Sequence, residues 1–293
     1  MNRSLLTLVA AVAVAAASCT ALNTTTGGSA ATPPTTTTTP AADTNDPNDL
    51  ATTSVAATEP DDVTTTTVFE RLVPISAELP PWTVITITTE DGIDLHGKYW
   101  PGDDDAVILT HEYDAAAEAS AGQRPPQSSD NLLTWAGVVA EAGHTVLAVD
   151  WRGHGQSGGT YNVKESQIDL AAAYGFLVAE GHDQITALAF AGSGPVVTDL
   201  AASGLDFSAL GLMWSPQQET GFDATTAITD VDEPVWIVTS DFPTLVRTAV
   251  FLERKTVNLY EKLIFPPVPT GLQFVDVYGE EFAGRLLTFI EST

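Results

Sequence analysis

The chain has 293 residues, 44% of them apolar, which is enough to bury at least one sizeable core. It sets 11 basic against 38 acidic side chains, a formal charge of −27, and a surface that acidic repels nucleic acid and anionic lipid headgroups, so neither is expected as a partner. A single cysteine, Cys19, excludes any disulfide within the chain.

Met1 to Cys19 opens with one basic residue, Arg3, runs through apolar residues from Leu5 to Ala17, and closes on small residues before Cys19. This pattern reads as a secretory signal, too short for a membrane-spanning helix. Its end, AASC, resembles the lipobox of bacterial lipoproteins, although Ala16 stands where that motif usually has Leu. The resemblance implies lipidation at Cys19 and anchoring to the outer face of the bacterial cytoplasmic membrane, in the cell envelope. Residues 20–71 follow as a Thr/Pro-rich tract with 18 threonines between Thr20 and Phe69. Such a composition buries too little apolar surface to offset its ordering entropy, so a disordered linker is expected. As a coil it spans on the order of 45 Å.

Residues 72–293 are expected to form one folded domain. From 71 onward the chain holds ten of the eleven basic and 31 of the 38 acidic residues, a net charge of −21. Alternation on both sides of Glu90-Asp91-Gly92 predicts an antiparallel hairpin from Trp82 to Trp100. Continuous apolar runs at 106–111, 144–150, 184–190, 209–214 and 234–240 predict strands buried on both faces. Helical patterns separate them at 131–142, 163–179, 194–202 and 244–255, with a last one at 280–291. The whole is an α/β fold, a mostly parallel sheet with flanking helices and an antiparallel hairpin at its start. Ligands of such sheets sit off the carboxyl ends of the strands. No metal site is expected: the run Asp103-Asp104-Asp105 lacks calcium-loop spacing and reads as a solvated turn. No phosphate loop is visible, and no cofactor is expected.

The segments AVILTHEY and GHTVLAVDWRGHGQSGG resemble the α/β-hydrolase superfamily, nearest in character to its dienelactone-hydrolase-like and small esterase-like members. The second carries the loop Asp150, Arg152, Gly153, His154, Gly155 and Ser157, which the resemblance makes structural rather than catalytic. His111, Glu112, Tyr113 and Gly192 would border the oxyanion site, and an inward Glu112 would oppose a developing negative charge there.

The superfamily's nucleophile sits on a tight strand-to-helix turn with small residues two positions to either side, and is followed in sequence by an acid and a histidine. In LAFAGSGPVV, Leu188 to Val197, two registers compete. With Ser193 at the apex the strand becomes too long and Asp199 falls on a position that packs against the sheet. With Ala191 at the apex, Ala189 and Ser193 are the small flanks and Val197 and Ala201 face the sheet, so this register fits better. It puts a methyl group where the hydroxyl should be. By count the acid falls on Phe242 or Pro243, leaving Asp241 as an offset candidate. The histidines are His96, His111, His144, His154 and His182, and none follows the turn.

The reading that follows is a lipid-anchored hydrolase-fold protein, catalytically degenerate (a pseudoenzyme), acting by binding a small molecule or an envelope protein. The alternative is an active serine hydrolase of ester or related acyl bonds, using Ser193 with Asp241 and an unconventional base such as His111. A third possibility is a purely structural envelope protein with the fold as a spacer, which a filled cleft would favour and a pocket lined by Trp214, Phe190 and Tyr113 would oppose.

Overall fold

The computed structural model describes residues 71–103, 105–112, 127–267 and 271–293. Cys19, the signal segment, the linker to Glu70 and Tyr113 lie outside the described residues.

Ile85 and Ile87 turn inward from β1 (Thr83–Thr88) while Val84 and Thr86 face solvent, and Gly92 at φ 82° closes the hairpin to β2 (Asp94–Trp100). Their register runs antiparallel from Thr83 opposite Tyr99 to Thr88 opposite Asp94. Then come β3 (Asp105–Thr110), α1 (Leu133–Glu141), β4 (Thr145–Val149), α2 (Ser166–Glu180), β5 (Gln184–Phe190), α3 (Ser193–Ala202) and β6 (Ala209–Met213). A two-residue pair, β7 (Gln218–Glu219) and β8 (Phe222–Asp223), and a short α4 (Ala224–Ala227) lead to β9 (Val235–Ser240), α5 (Pro243–Glu253), β10 (Leu259–Phe265) and α6 (Gly271–Glu291). Eight strands form one sheet in the order β1-β2-β4-β3-β5-β6-β9-β10, antiparallel through β4 and parallel from there onward.

The sheet separates two apolar layers. Ile108, Leu147, Ile185, Leu210 and Ile237 pack on one face against Leu170, Ala173 and Leu177 of α2, Val197 and Ala201 of α3, and Leu252 of α5. Val107, Val146, Trp236 and Val238 pack on the other against Trp135 of α1 and Phe282, Leu286 and Phe289 of α6. Strands buried on both faces cannot alternate apolar with polar residues, which is why they read as continuous apolar runs.

The hairpin and the five apolar runs all occur where the sequence places them. Other elements differ. The short β7, β8 and α4 fall in the connection 215–233, where no element is expected. β10 is an edge strand carrying Glu261 and Lys262 on a half-buried surface, so no apolar run marks it. The last helix starts at Gly271, well before Glu280, because its first turns carry Gly, Gln and Asp among the apolar residues. Among the described residues, no helix is long and apolar enough to cross a membrane.

Candidate functional site

Between β5 and α3 lie only Ala191 and Gly192. Ala191 has φ 49°, in the left-handed region that a residue with a Cβ enters only under constraint. Its N–H donates to Met213 O at 2.8 Å, and its carbonyl accepts from Gly194 N–H at 3.0 Å. The start of α3 packs so closely on the segment after β6 that a Cβ on Gly194 would sit 2.0 Å from Ser215 Oγ. Gly192 continues at φ −57°, ψ −17° into the helix. The apex of the strand-to-helix turn is therefore Ala191, whose methyl group is partly exposed.

Ser193 is the first residue of α3 and fully buried. Its hydroxyl accepts from Thr110 Oγ1 at 2.9 Å and reaches two carbonyls, Phe190 O at 2.8 Å and Thr110 O at 3.2 Å. These bonds tie the start of α3 to the ends of β3 and β5. His111 is 1% exposed and does not share this network. Its Nδ1–H donates to Glu112 O at 2.7 Å, and Nε2 accepts the Trp151 N–H at 3.1 Å. Both ring nitrogens are thus engaged, Nδ1 within the segment after β3 and Nε2 by the segment after β4, with the His154 ring 5.0 Å away. Asp241 is exposed at the end of β9, where its N–H donates to Phe265 O at 2.8 Å. The structure does not bring Ser193, His111 and Asp241 into a hydrogen-bonded relay, the arrangement that activates a serine.

Burial, followed by the neighbouring His154, pulls the His111 pKa down to about 3. The ring is held neutral because protonating Nε2 would also displace the Trp151 N–H.

The loop after β4 is built around Asp150. Its buried carboxylate accepts the N–H of Ser129 at 2.7 Å and of Gln156 at 2.9 Å, and lies 3.2 Å from His96 Nδ1. Burial pushes this carboxyl up, but the donated N–H of Gln156, the facing His111 and the bonds from Ser129 outweigh it, and the group is held below the usual carboxylate range. Gly155, at φ 44°, approaches so closely that a Cβ there would lie 2.1 Å from Asp150 Oδ2. Gly153, at φ 73°, leaves no room for a Cβ against Tyr161 N. Arg152 is 2% exposed and divides its guanidinium among Asp169, Asp91 and Glu165, with contacts of 2.7 to 3.2 Å. Burial opposes its charge, but these carboxylates outweigh that and raise its pKa. His154 is fully buried, with Nδ1 3.2 Å from Arg152 O. Asp150 and Ser157 hold backbone groups, and Arg152 gathers three carboxylates.

Around the carboxyl ends of β5 and β6 the space is occupied. Trp214, at φ 53°, donates Nε1–H to Ser240 Oγ at 2.9 Å and packs on Phe190 and Phe274. Beside Trp151, the gap between Ile108, Thr110, Val149 and Leu170 is too small to hold a water molecule. The sequence missed this filling because Trp214 and Phe274 are 60 residues apart and meet only once α6 lies across the sheet.

No protein-family model matches the chain, and no curated protein matches it in sequence. Its fold is shared with solved esterases. The esterase Pf2001 of Pyrococcus furiosus aligns with TM-score 0.57 at 18% identity, over 76% of this chain and 96% of that one. The esterase EaEST of Exiguobacterium antarcticum gives 0.57 at 12%, over 71% and 100%. Est1E of Butyrivibrio proteoclasticus, solved with ferulic acid bound, gives 0.55 at 14%, over 71% and 100%. With the strand order above, the chain has the α/β-hydrolase fold.

Two expectations follow from this geometry. Ser193→Ala removes a buried hydroxyl that bridges Thr110 and Phe190, and should cost about 1–3 kcal/mol in urea unfolding while leaving a folded chain. His111 makes stability pH-dependent. The native state keeps it neutral down to about pH 3, whereas the unfolded chain protonates it at its ordinary value of about 6.5. Below that value the unfolded state binds more protons, so stability falls as pH drops from about 6.5 toward 3, by at most about 1.4 kcal/mol per pH unit. Unfolding free energies at pH 4.5 and 6.5 should therefore differ more in the native chain than in His111→Gln, and equal differences would contradict this account.

Proposed function

We propose that this chain is an extracytoplasmic, lipid-anchored α/β-hydrolase-fold protein that does not hydrolyse esters and acts by binding an envelope partner. The observation that carries the reading is Ala191 at the positive-φ apex of the strand-to-helix turn. A methyl group offers no lone pair to attack a carbonyl, and no histidine follows it in the chain to act as base. The separate hydrogen-bonding partners of Ser193 and His111 support the same reading, since a nucleophile and its base need a shared proton. Of the two kinds of binding, a protein surface is favoured over a small-molecule pocket, because Phe190, Trp214 and Phe274 already fill space at the carboxyl ends of the strands. The anchor rests on the lipobox resemblance at Cys19.

Both halves can be tested. A fluorophosphonate probe should label the purified chain no more than a heat-denatured sample does, and Ser193→Ala should change nothing; robust labelling that disappears in Ser193→Ala would overturn the non-hydrolytic reading. In a bacterial host, Cys19→Ser should abolish incorporation of labelled palmitate and move the chain from the membrane fraction to the soluble fraction. Unchanged membrane association and labelling would remove the anchor.

A further inference from the structure

At the opposite edge of the sheet from Ala191, three side chains from two turns converge. Asp103 lies in the turn between β2 and β3, Asp105 opens β3, and His144 immediately precedes β4. β3 and β4 run parallel with Ala106 opposite Thr145, so Asp105 and His144 sit side by side at the amino ends of adjacent strands. One ligand atom from each of the three residues lies within 4.8 Å of the others, and His144 Nδ1 is 3.5 Å from Asp103 Oδ1.

The backbone under this cluster is fixed. Asp103 N–H donates to Gly143 O at 2.8 Å, Gly102 N–H to Thr145 Oγ1 at 2.9 Å, and that hydroxyl to Asp103 O at 3.1 Å. Gly102 is required, since a Cβ there would lie 2.4 Å from Gly143 O. The two turns are in effect laced together before any side chain is considered.

The independent observation is the imidazole. His144 is 6% exposed, and its Nδ1 is buried with no hydrogen-bond partner, facing the two carboxylates. A buried polar atom left unsatisfied costs about 1–3 kcal/mol, and such atoms call for a specific explanation. We propose that Asp103, Asp105 and His144 form a binding site for a divalent transition-metal cation, with zinc the best match.

The donor chemistry selects the class of ion. Calcium and magnesium prefer shells made wholly of oxygen, whereas an imidazole suits zinc and its neighbours in the first transition row. Ligand bonds of about 2.0–2.2 Å place tetrahedral ligand atoms roughly 3.3–3.5 Å apart. The 3.5 Å between His144 and Asp103 already meets that spacing. The Asp103 side chain is 54% exposed and free to turn toward an ion shared with Asp105 and His144. Three protein ligands leave a fourth position for water or for a donor from a partner. Such an ion would clamp the β2–β3 turn onto the start of β4, away from the turn at Ala191, so the proposal does not depend on whether the chain hydrolyses anything.

The test is calorimetric titration of zinc into the full chain after exhaustive dialysis against chelator, with calcium titrated in parallel. The expected result is one saturable zinc equivalent, weakened at least about tenfold by His144→Gln and by Asp103→Ala, with zinc raising the melting temperature of the native chain only. Asp103 is at the surface, so Asp103→Ala keeps the test valid even where His144→Gln fails to fold. Absence of a saturable zinc site, an isotherm unchanged in Asp103→Ala, or calcium binding as tightly as zinc would each overturn the assignment.

Discussion

The carboxyl edge of this sheet depends on one buried carboxylate. Asp150, at the end of β4, gathers the N–H groups of Ser129 and Gln156 and faces His96. Three segments distant in sequence therefore converge on a single charged side chain, and the glycine at 155 is the only residue type that lets the loop close around it. Next to it, Arg152 holds Asp91, Glu165 and Asp169 together. In a chain with so few cations, placing one where it meets three carboxylates shows how much of the local order rests on that ion pair. Breaking a buried pair from one side leaves an uncompensated charge, which is far costlier than never having built it.

This dependence gives a motif that resembles hydrolase sequences a structural task. Asp150, Arg152, His154 and Ser157 look reactive as a string of letters. In space Asp150, His154 and Ser157 face backbone groups, Arg152 faces three carboxylates, and His111 is drawn into the same task by the Trp151 N–H. The loop sets the height and direction of the strand ends on which any site would be mounted. What is mounted there is decided elsewhere, at the turns after β5 and β6, and both of those apices bear side chains, Ala191 and Trp214, forced to positive φ.

Much of this was legible in the sequence, for a physical reason. Interior parallel strands must be apolar on both faces, so they announce themselves as runs, and the small residues Ala189, Ser193 and Gly194 register the crowding of a turn against β6. Edge strands announce nothing of the kind: Glu261 and Lys262 on β10 look like loop. The proximity of Asp105 to His144 was illegible for another reason. It follows from β3 and β4 being neighbours, and strand order is a global property that no window of residues contains. The same applies to Trp214 and Phe274, whose rings meet 5.0 Å apart although 60 residues separate them in sequence.

The backbone at Ala191 has a practical consequence. The fold holds that position at positive φ, partly exposed, on a rigid junction anchored at both ends. Cys19 is the chain's one thiol, at the far amino-terminal end of the sequence. A thiol introduced at 191 would thus be a unique attachment point within the domain, its motion limited by the strand and helix that flank it. A spectroscopic reporter carried there would register changes in the surroundings of the carboxyl edge of the sheet directly, without labelling any other part of the domain.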